Sequence, residues 1–267
     1  MNLANYPGIS ARQRWIPAVT NKLGNAMLLS GHPFTRAHVP LTRMLNQQQL
    51  EIFLACFPLV YLKPLFGCRG KGIWRIDRLS GGEYLLRARK RKRTYRPKSQ
   101  RELWRVLRSL LGKRTYVIQQ GIRSETRSGR PFDIRVHLVR IDGKWREAGI
   151  VGKVARRNSI VTNRHSGGIP KPAIHLFRND LGYSRSQTDQ ILKDLERISV
   201  QATRVISRCH PKWWEFGVDA GVDSRGKVWI YEINITPGGM VFRDADQKVF
   251  YRMLRLRRIA KKQAERR

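Results

Sequence analysis

The chain has 267 residues, of which 54 are Lys or Arg and only 19 are Asp or Glu, giving a formal net charge of +35. This length suits one large or two small domains, and 41% hydrophobic residues with seven Trp exclude a wholly disordered chain. The sequence has no run of about 18 apolar residues, so no membrane span is predicted.

Cysteine content and the first residues indicate a compartment, and the charge indicates a class of partner. Residues 1–15 lack the apolar segment of a signal peptide. The three cysteines, Cys56, Cys68 and Cys209, are few and odd in number, which favours a reducing cytoplasm over a disulfide framework. The basic excess is densest over 87–101 and 251–267, and it predicts a polyanionic partner or substrate.

The first half of the chain predicts a sheet that carries a glycine-rich loop. Strands are predicted at 57–64, 72–76 and 83–89, with the sequence GCRGKG between the first two and a Ser-Gly-Gly turn before the third. Ser99 and Glu102 form a capping box for a helix that ends at Gly112. A further strand is predicted at 115–120.

The second half predicts a hairpin and two long helices. Asp142-Gly143 is a strong turn signal between strands at 133–140 and 144–155. Apolar residues at spacings of three and four predict a helix over 184–207 and another from Ala245 onward. The apolar face of the last helix is predicted to comprise Val249, Met253, Leu256 and Ile259. Strands and helices alternate irregularly, which favours an α+β fold over a doubly wound parallel sheet.

One segment, residues 217–239, predicts a divalent-cation site. Glu232 and Asn234 are two residues apart at the end of an apolar strand, so both point to one face. Asp219, about a hairpin away, can supply a third oxygen ligand, and Asp223 competes with it because both lie in a GVD triplet. Carboxylate and amide oxygens suit Mg²⁺ or Mn²⁺, and Mg²⁺ bound by few protein oxygens usually carries substrate phosphates.

Two other segments have residue types that bind phosphate groups. Lys63 ends a strand immediately before the glycine-rich loop, where backbone N–H groups can approach phosphate oxygens. Asp133 and Arg135 share one face of a strand, and an arginine fork can grip a transferring phosphoryl oxygen. Each pattern alone is more typical of an ordinary turn or a surface ion pair.

In this order along the chain, the motifs resemble the ATP-grasp superfamily, and more closely the YheC/YheD-type proteins, named as endospore coat-associated. The resemblance covers roughly residues 22–239 and is carried by VYLKPLFGCRGKGI, YVIQQGI, FDIRVHLVR, SIVTNRHSGG and FGVDAGVDSRGKVWIYEIN. It implies an ATP-grasp fold, with two α+β subdomains and the nucleotide between them. The implied segments are 1–45, which carries the first ATP lysine, 46–118, a lid with the glycine-rich loop, and 119–267, with the metal site.

The resemblance also implies a role for individual residues. Arg135 is expected to face the γ-phosphate and an acyl phosphate, and with Lys63 to act in catalysis. Asp219, Glu232 and Asn234 are expected to bind the metal, with Asp219 preferred over Asp223. The residues expected to bind ATP are Lys22, Lys63, Gly67, Gly70, Gly72, Gln119, Gln120, Gly121, Ile122, Arg135 and Asn163.

The implied activity is a Mg²⁺-dependent ligation of a carboxylate to an amine or thiol through an acyl phosphate. The expected partners are ATP and an acidic small molecule, peptide or protein, in the cytoplasm or at the developing spore coat. The alternative is a non-catalytic basic protein of the same fold that binds a polyanion or is a structural component associated with the spore coat. A kinase-like phosphoryl transfer is less favoured, because no separate base motif is visible in the sequence.

Overall fold

We describe a computed structural model of the chain for residues 21–67, 70–88, 94–157, 159–162 and 167–266. It divides into two compact units, of which the first unit is Met1–Gly24 with Pro40–Ile122 and the second unit is Asn25–Val39 with Arg123–Arg267. Helix α1 (Lys22–Ser30) begins in the first unit and ends in the second. The division into functional segments 1–45, 46–118 and 119–267 remains a prediction from the sequence.

The first unit is built on a five-stranded antiparallel sheet with the strand order β1-β5-β2-β3-β4. Its strands are β1 (Thr42–Met44), β2 (Leu59–Pro64), β3 (Trp74–Arg78), β4 (Tyr84–Ala88) and β5 (Tyr116–Gln120). Two capped helices belong to this unit, α2 (Gln47–Cys56) after Asn46 and α3 (Gln100–Leu111) after Ser99. The side chain of each capping residue accepts a hydrogen bond from the first turn of its helix.

The core of the first unit lies between one face of this sheet and the two helices. Alternate strand residues, such as Val60, Leu62 and Ile76, are buried against Phe53 of α2 and Leu107 of α3. Because strand side chains alternate between faces, the residues between these apolar ones point to the opposite face. That face carries polar side chains, namely Lys63, Arg75, Asp77 and Gln119.

The second unit contains a second antiparallel sheet with the strand order β10-β9-β6-β7-β8. Its strands are β6 (Phe132–Ile141), β7 (Lys144–Val154), β8 (Ile169–Pro172), β9 (Glu215–Val222) and β10 (Val228–Asn234). Asp142 and Gly143 join β6 to β7 with φ of 51° and 74°. Positive φ at both positions is what the hairpin turn predicted from Asp-Gly requires.

Helices pack on both faces of the second sheet. Helix α4 (Arg185–Ser207) has a full capping box and contacts β6, β7, β9 and β10 through its apolar face. Helices α5 (Met240–Ala245) and α6 (Gln247–Glu265) cover the other face, where Phe242 and Met253 pack against Val139 and Val151. Asp133, Arg135 and His137 precede Val139 at intervals of two, so they point to this same face.

The predicted apolar face of the last helix is wrong at one position. Ile259 is 41% exposed, whereas the neighbouring Ala260 is buried with Met253. A spacing of seven residues keeps Ala260 directly in line with Met253, and this places Ile259 to the side of the buried stripe.

Candidate functional site

A cluster of charged side chains lies on the helix α6 face of the second sheet, beyond the end of the apolar core. Cross-strand pairing places Arg135 opposite Asp219 and Asp133 opposite Lys153, while Glu232 lies opposite Asp219 on the other side. Four neighbouring strands thus present their charged residues on one patch of the sheet. We call these five residues, together with Asn234, the polar cluster.

Asp219 is the centre of the polar cluster. Its carboxylate accepts two hydrogen bonds from Arg135, from Nε and Nη2, each at 2.9 Å. Nζ of Lys153 donates at 3.1 Å and Nδ2 of Asn234 at 2.9 Å. Lys153 also pairs with Asp133 at 2.9 Å, so one ammonium group bridges two carboxylates.

Burial makes this network electrostatically strong. The side chain of Lys153 is only 5% exposed, and those of Arg135 and Asp219 are 14% and 18% exposed. Burial alone would raise the pKa of Asp219, but the charges of Arg135 and Lys153 lower it to about 2. For Asp133 the balance is reversed, because burial raises the pKa more than Lys153 lowers it.

Lys153 is the member of the polar cluster that the sequence interpretation missed. The turn register, in which Ile141 pairs with Lys144, would pair Asp133 with Gly152 if it continued unchanged. A register shift between His137 and Leu138 instead brings Lys153 opposite Asp133. The shift is a β-bulge, and a one-residue slip moves a side chain to the other face. A charged residue within the otherwise apolar segment 148–154 is the one sequence signal for it.

The three candidate metal ligands lie together at the end of the β9–β10 hairpin. A second bulge between Ile230 and Glu232 places Glu232 directly opposite Asp219. Asn234 directs Nδ2 to Asp219, which leaves its Oδ1 as the ligand atom. Two carboxylates and an amide oxygen suit Mg²⁺. No group of three or more His, Cys, Asp or Glu residues able to bind a metal occurs in the described ranges of the chain.

Asp223 lies in the turn of the same hairpin and has a structural role there. Its Oδ1 accepts hydrogen bonds from the backbone N–H groups of Arg225 and Lys227. Its Oδ2 accepts one from Nε1 of Trp229 at 2.9 Å. These contacts close the turn of the β9–β10 hairpin.

Lys22 and Lys63, the two lysines expected to bind ATP, lie in the first unit. Each contacts another residue of the expected ATP site. Nζ of Lys22 donates to the carbonyl oxygen of Gly67 at 2.8 Å, so the lysine touches the start of the glycine-rich loop. Lys63 donates to Oε1 of Gln119 across neighbouring strands. Gly67, Gly70 and Gly72 all have positive φ, which only glycine adopts without strain.

The remaining residues expected to bind ATP follow β5. The backbone of Gln120 bonds to Leu41, and the N–H of Gly121 bonds to the carbonyl of Leu59 at 2.9 Å. The first unit ends at Ile122, so the chain passes into the second unit at this point. Asn163, the other expected ATP ligand, lies outside the described residues.

Sequence comparison assigns this chain to a protein family. The family model described as YheC/D like ATP-grasp matches residues 16–261, nearly the whole chain. The chain belongs to the YheC/D-like ATP-grasp family. This confirms the family that the motif order suggests, and the candidate residues described above lie within the matched region.

Two curated relatives of this YheC/D-like ATP-grasp chain are from Bacillus subtilis (strain 168). The endospore coat-associated protein YheD is 28% identical over 229 residues, which cover 83% of this chain and 49% of YheD. The endospore coat-associated protein YheC is 22% identical over 243 residues, which cover 88% of this chain and 64% of YheC. The chain therefore spans about half the length of YheD and under two thirds of YheC.

Structure comparison agrees with the ATP-grasp fold. The crystal structure of D-cycloserine synthetase DcsG superposes with a TM-score of 0.56 at 14% identity, covering 97% of this chain and 73% of that one. At this identity the likeness shows the fold alone. Of the helices in the described part of this YheC/D-like chain, none is sufficiently long and apolar to cross a membrane.

Proposed function

We propose that this YheC/D-like ATP-grasp chain is an ATP- and Mg²⁺-dependent ligase that joins a carboxylate to an amine or a thiol. The observation that carries the proposal is the polar cluster, in which Asp219, Glu232 and Asn234 share one patch with Arg135. The first unit adds Lys22, Lys63 and the glycine-rich loop. These are the residue types that an enzyme needs to bind a triphosphate and stabilise its transfer.

The proposed reaction has two steps. An oxygen of the substrate carboxylate bonds to the γ-phosphorus of ATP while the bond to the bridging oxygen breaks, which gives an acyl phosphate and ADP. An amine nitrogen then bonds to the acyl carbon, the bond from that carbon to the phosphate oxygen breaks, and the nitrogen loses a proton. Bound Mg²⁺ or Mn²⁺ would neutralise phosphate charge.

Each protein group has a task that its position supports. Asp219 is ionised at neutral pH because its pKa is about 2, and a bound cation would share its oxygens with Arg135 and Lys153. The bond to Asp219 uses Nε and Nη2 of Arg135, and a guanidinium has five N–H donors, so others remain for a phosphoryl oxygen. Lys22 and Lys63 supply positive charge beside the glycine-rich loop, whose closure would exclude water from the acyl phosphate.

Glu232→Ala tests the assignment of the metal site. We expect wild type to bind a fluorescent ATP analogue only with Mg²⁺, and Glu232→Ala to lose this magnesium-dependent binding. Asp223→Asn is the matched control, because it removes an acid from the turn of the same hairpin and should retain binding in folded protein. The assignment is wrong if Glu232→Ala binds Mg-ATP as tightly as wild type.

A second candidate function is a non-catalytic role in binding an acidic polymer, and the exposed face of α6 favours it. This face carries basic residues without an acidic partner in the described ranges: Lys248, Arg255, Arg258 and Lys262. Such binding should weaken steeply as salt rises. Absent or salt-insensitive binding to a double-stranded DNA probe and to polyglutamate would contradict this role.

The names of the two relatives suggest a biological setting. YheD and YheC are called endospore coat-associated. We propose that this chain acts during spore formation, near the developing coat. A fluorescent fusion imaged in sporulating cells should concentrate around the forespore, whereas an even distribution through the cell would contradict this setting.

A further inference from the structure

A cavity lined by three arginines lies in the second unit beside the polar cluster. It has a volume of about 390 Å³ and is lined by Ser128, Gly129, Arg130, Pro131, Arg156 and Arg157. We call it the arginine pocket. Its volume lies in the range of small-molecule sites, which is about 300–1,000 Å³. It therefore has room for an amino acid or for the end of a peptide.

The walls of the arginine pocket are held in place by hydrogen bonds. Nε and Nη2 of Arg130 donate to the carbonyl oxygen of Ala155 at 2.8 Å and 2.6 Å. The N–H of Ala155 in turn donates to the carbonyl of Pro131 at 2.7 Å. The hairpin that carries Arg130 is closed by the bond between the N–H of Thr126 and the carbonyl of Arg130. The pocket is thus a built feature at the end of the β6–β7 pair.

The charge of the arginine pocket is uncompensated within the described ranges. No carboxylate there forms an ion pair with Arg130, Arg156 or Arg157. Three guanidinium groups around one cavity repel each other, and a bound anion would relieve that repulsion. Guanidinium groups bind carboxylates through paired, charge-assisted hydrogen bonds.

The position of the pocket connects it to the proposed chemistry. Pro131 lies immediately before β6 and two residues before Asp133, which is about 7 Å in an extended chain. Arg156 is three residues after Lys153, which lies opposite Asp133 on β7. The arginine pocket and the polar cluster are therefore neighbours along both β6 and β7.

We propose that the arginine pocket binds the acidic substrate of the ligase reaction through one carboxylate, so that a second carboxylate of the same molecule reaches the polar cluster. This inference rests on the proposed function and adds a substrate class, a molecule with at least two carboxylates such as an acidic amino acid or the acidic end of a peptide. The second carboxylate is the one that is phosphorylated.

The test compares two double variants of the full chain that lose the same charge. Arg156→Gln with Arg157→Gln removes two exposed arginines of the pocket, and Arg255→Gln with Arg258→Gln removes two exposed arginines of α6. The probe is a triglutamate peptide, titrated by calorimetry at fixed salt, with triglutamine as the neutral reference. We expect the pocket variant to bind triglutamate about tenfold or more weakly than wild type, and the α6 variant to bind within about threefold of it.

Three results would overturn the inference. Triglutamate could bind the pocket variant as tightly as wild type, or both double variants could lose the same affinity, which would assign binding to the overall charge. Inorganic phosphate could also displace the peptide at equal concentration, which would make the site a phosphate site. Mg-ATP binding is measured in the same samples, and we expect the pocket variant to retain it. If wild type does not bind Mg-ATP, the proposed function is refuted, independently of the result of the triglutamate titration.

Discussion

Lys153→Met tests whether the polar cluster is an electrostatic unit. Nζ of Lys153 bridges Asp133 and Asp219 at 2.9 Å and 3.1 Å, and its side chain is only 5% exposed. Met has a similar length but no charge, so two partly buried carboxylates lose their shared cation. Removing one partner of a buried ion pair costs about 3–5 kcal/mol. Since Arg135 still pairs with Asp219, we expect the free energy of unfolding to fall by an amount near the lower end of this range, about 3 kcal/mol.

Lys171→Met is the matched control on a neighbouring strand. Lys171 pairs with Asp180 at 2.7 Å, but the two side chains are 29% and 24% exposed. Solvent-exposed pairs are worth about 0.2–1 kcal/mol, so this variant should lose less than about 1 kcal/mol. Urea unfolding followed by tryptophan fluorescence gives both free energies of unfolding by linear extrapolation. Losses that agree within about 0.5 kcal/mol would refute the argument that burial makes the cluster strong.

Two further predictions concern the first unit. Burial alone would raise the pKa of Asp77, but the hydrogen bonds and charges of Arg75 and Arg87 outweigh burial and lower the pKa below its usual range. Asp77 therefore stabilises the fold at neutral pH and loses this contribution as the pH falls through its folded pKa. The loss of stability in Asp77→Asn, measured by thermal unfolding, should therefore shrink steadily as the pH is lowered below about 4, and a loss that stays constant with pH would contradict this. Gly121→Ala would place a Cβ 2.2 Å from Cγ of Leu59, whereas a Cβ on Gly238 meets nothing within 4 Å. We expect Gly121→Ala to cost about 1–3 kcal/mol in urea unfolding and Gly238→Ala to be near neutral, and equal losses would contradict the packing argument.

The predictions that rest on local signals agree with the structure. The Asp142-Gly143 turn, the Ser99 cap and the helix over 184–207 each depend on a few neighbouring residues whose chemistry favours one conformation. The α+β fold follows from their order along the chain. By contrast, the sequence gives no clear sign of the short edge strands β1 and β8, since three or four residues are too few to show an alternating pattern.

The geometry of the polar cluster depends on long-range pairing that the sequence does not specify. Glu232 and Asn234 could be assigned to one face because they are two apart on a strand. That Glu232 lies opposite Asp219, and Lys153 opposite Asp133, depends on two β-bulges. A bulge is set by packing against neighbouring strands and helices, so register counted from the turn alone gives the wrong partner.

The sequence also could not predict the arginine pocket. Arg130 and Arg156 are 26 residues apart and have no pattern of their own among 54 basic residues. They are brought together because the β6–β7 pairing ends at Phe132 and Val154, with both arginines just beyond it. A basic composition predicts attraction of anions in general, whereas the fold determines where one can be bound specifically.

ADP release under ligase conditions tests the central claim most directly. Purified chain is incubated with ATP, Mg²⁺ and a panel of amino acids, acidic peptides and spore coat proteins, with hydroxylamine added to trap an acyl phosphate as a hydroxamate. We predict ADP and hydroxamate in equal amounts with at least one carboxylate that has a second acidic group, and neither product with Glu232→Ala. ADP release that does not depend on any carboxylate, or that persists in Glu232→Ala, would contradict the account.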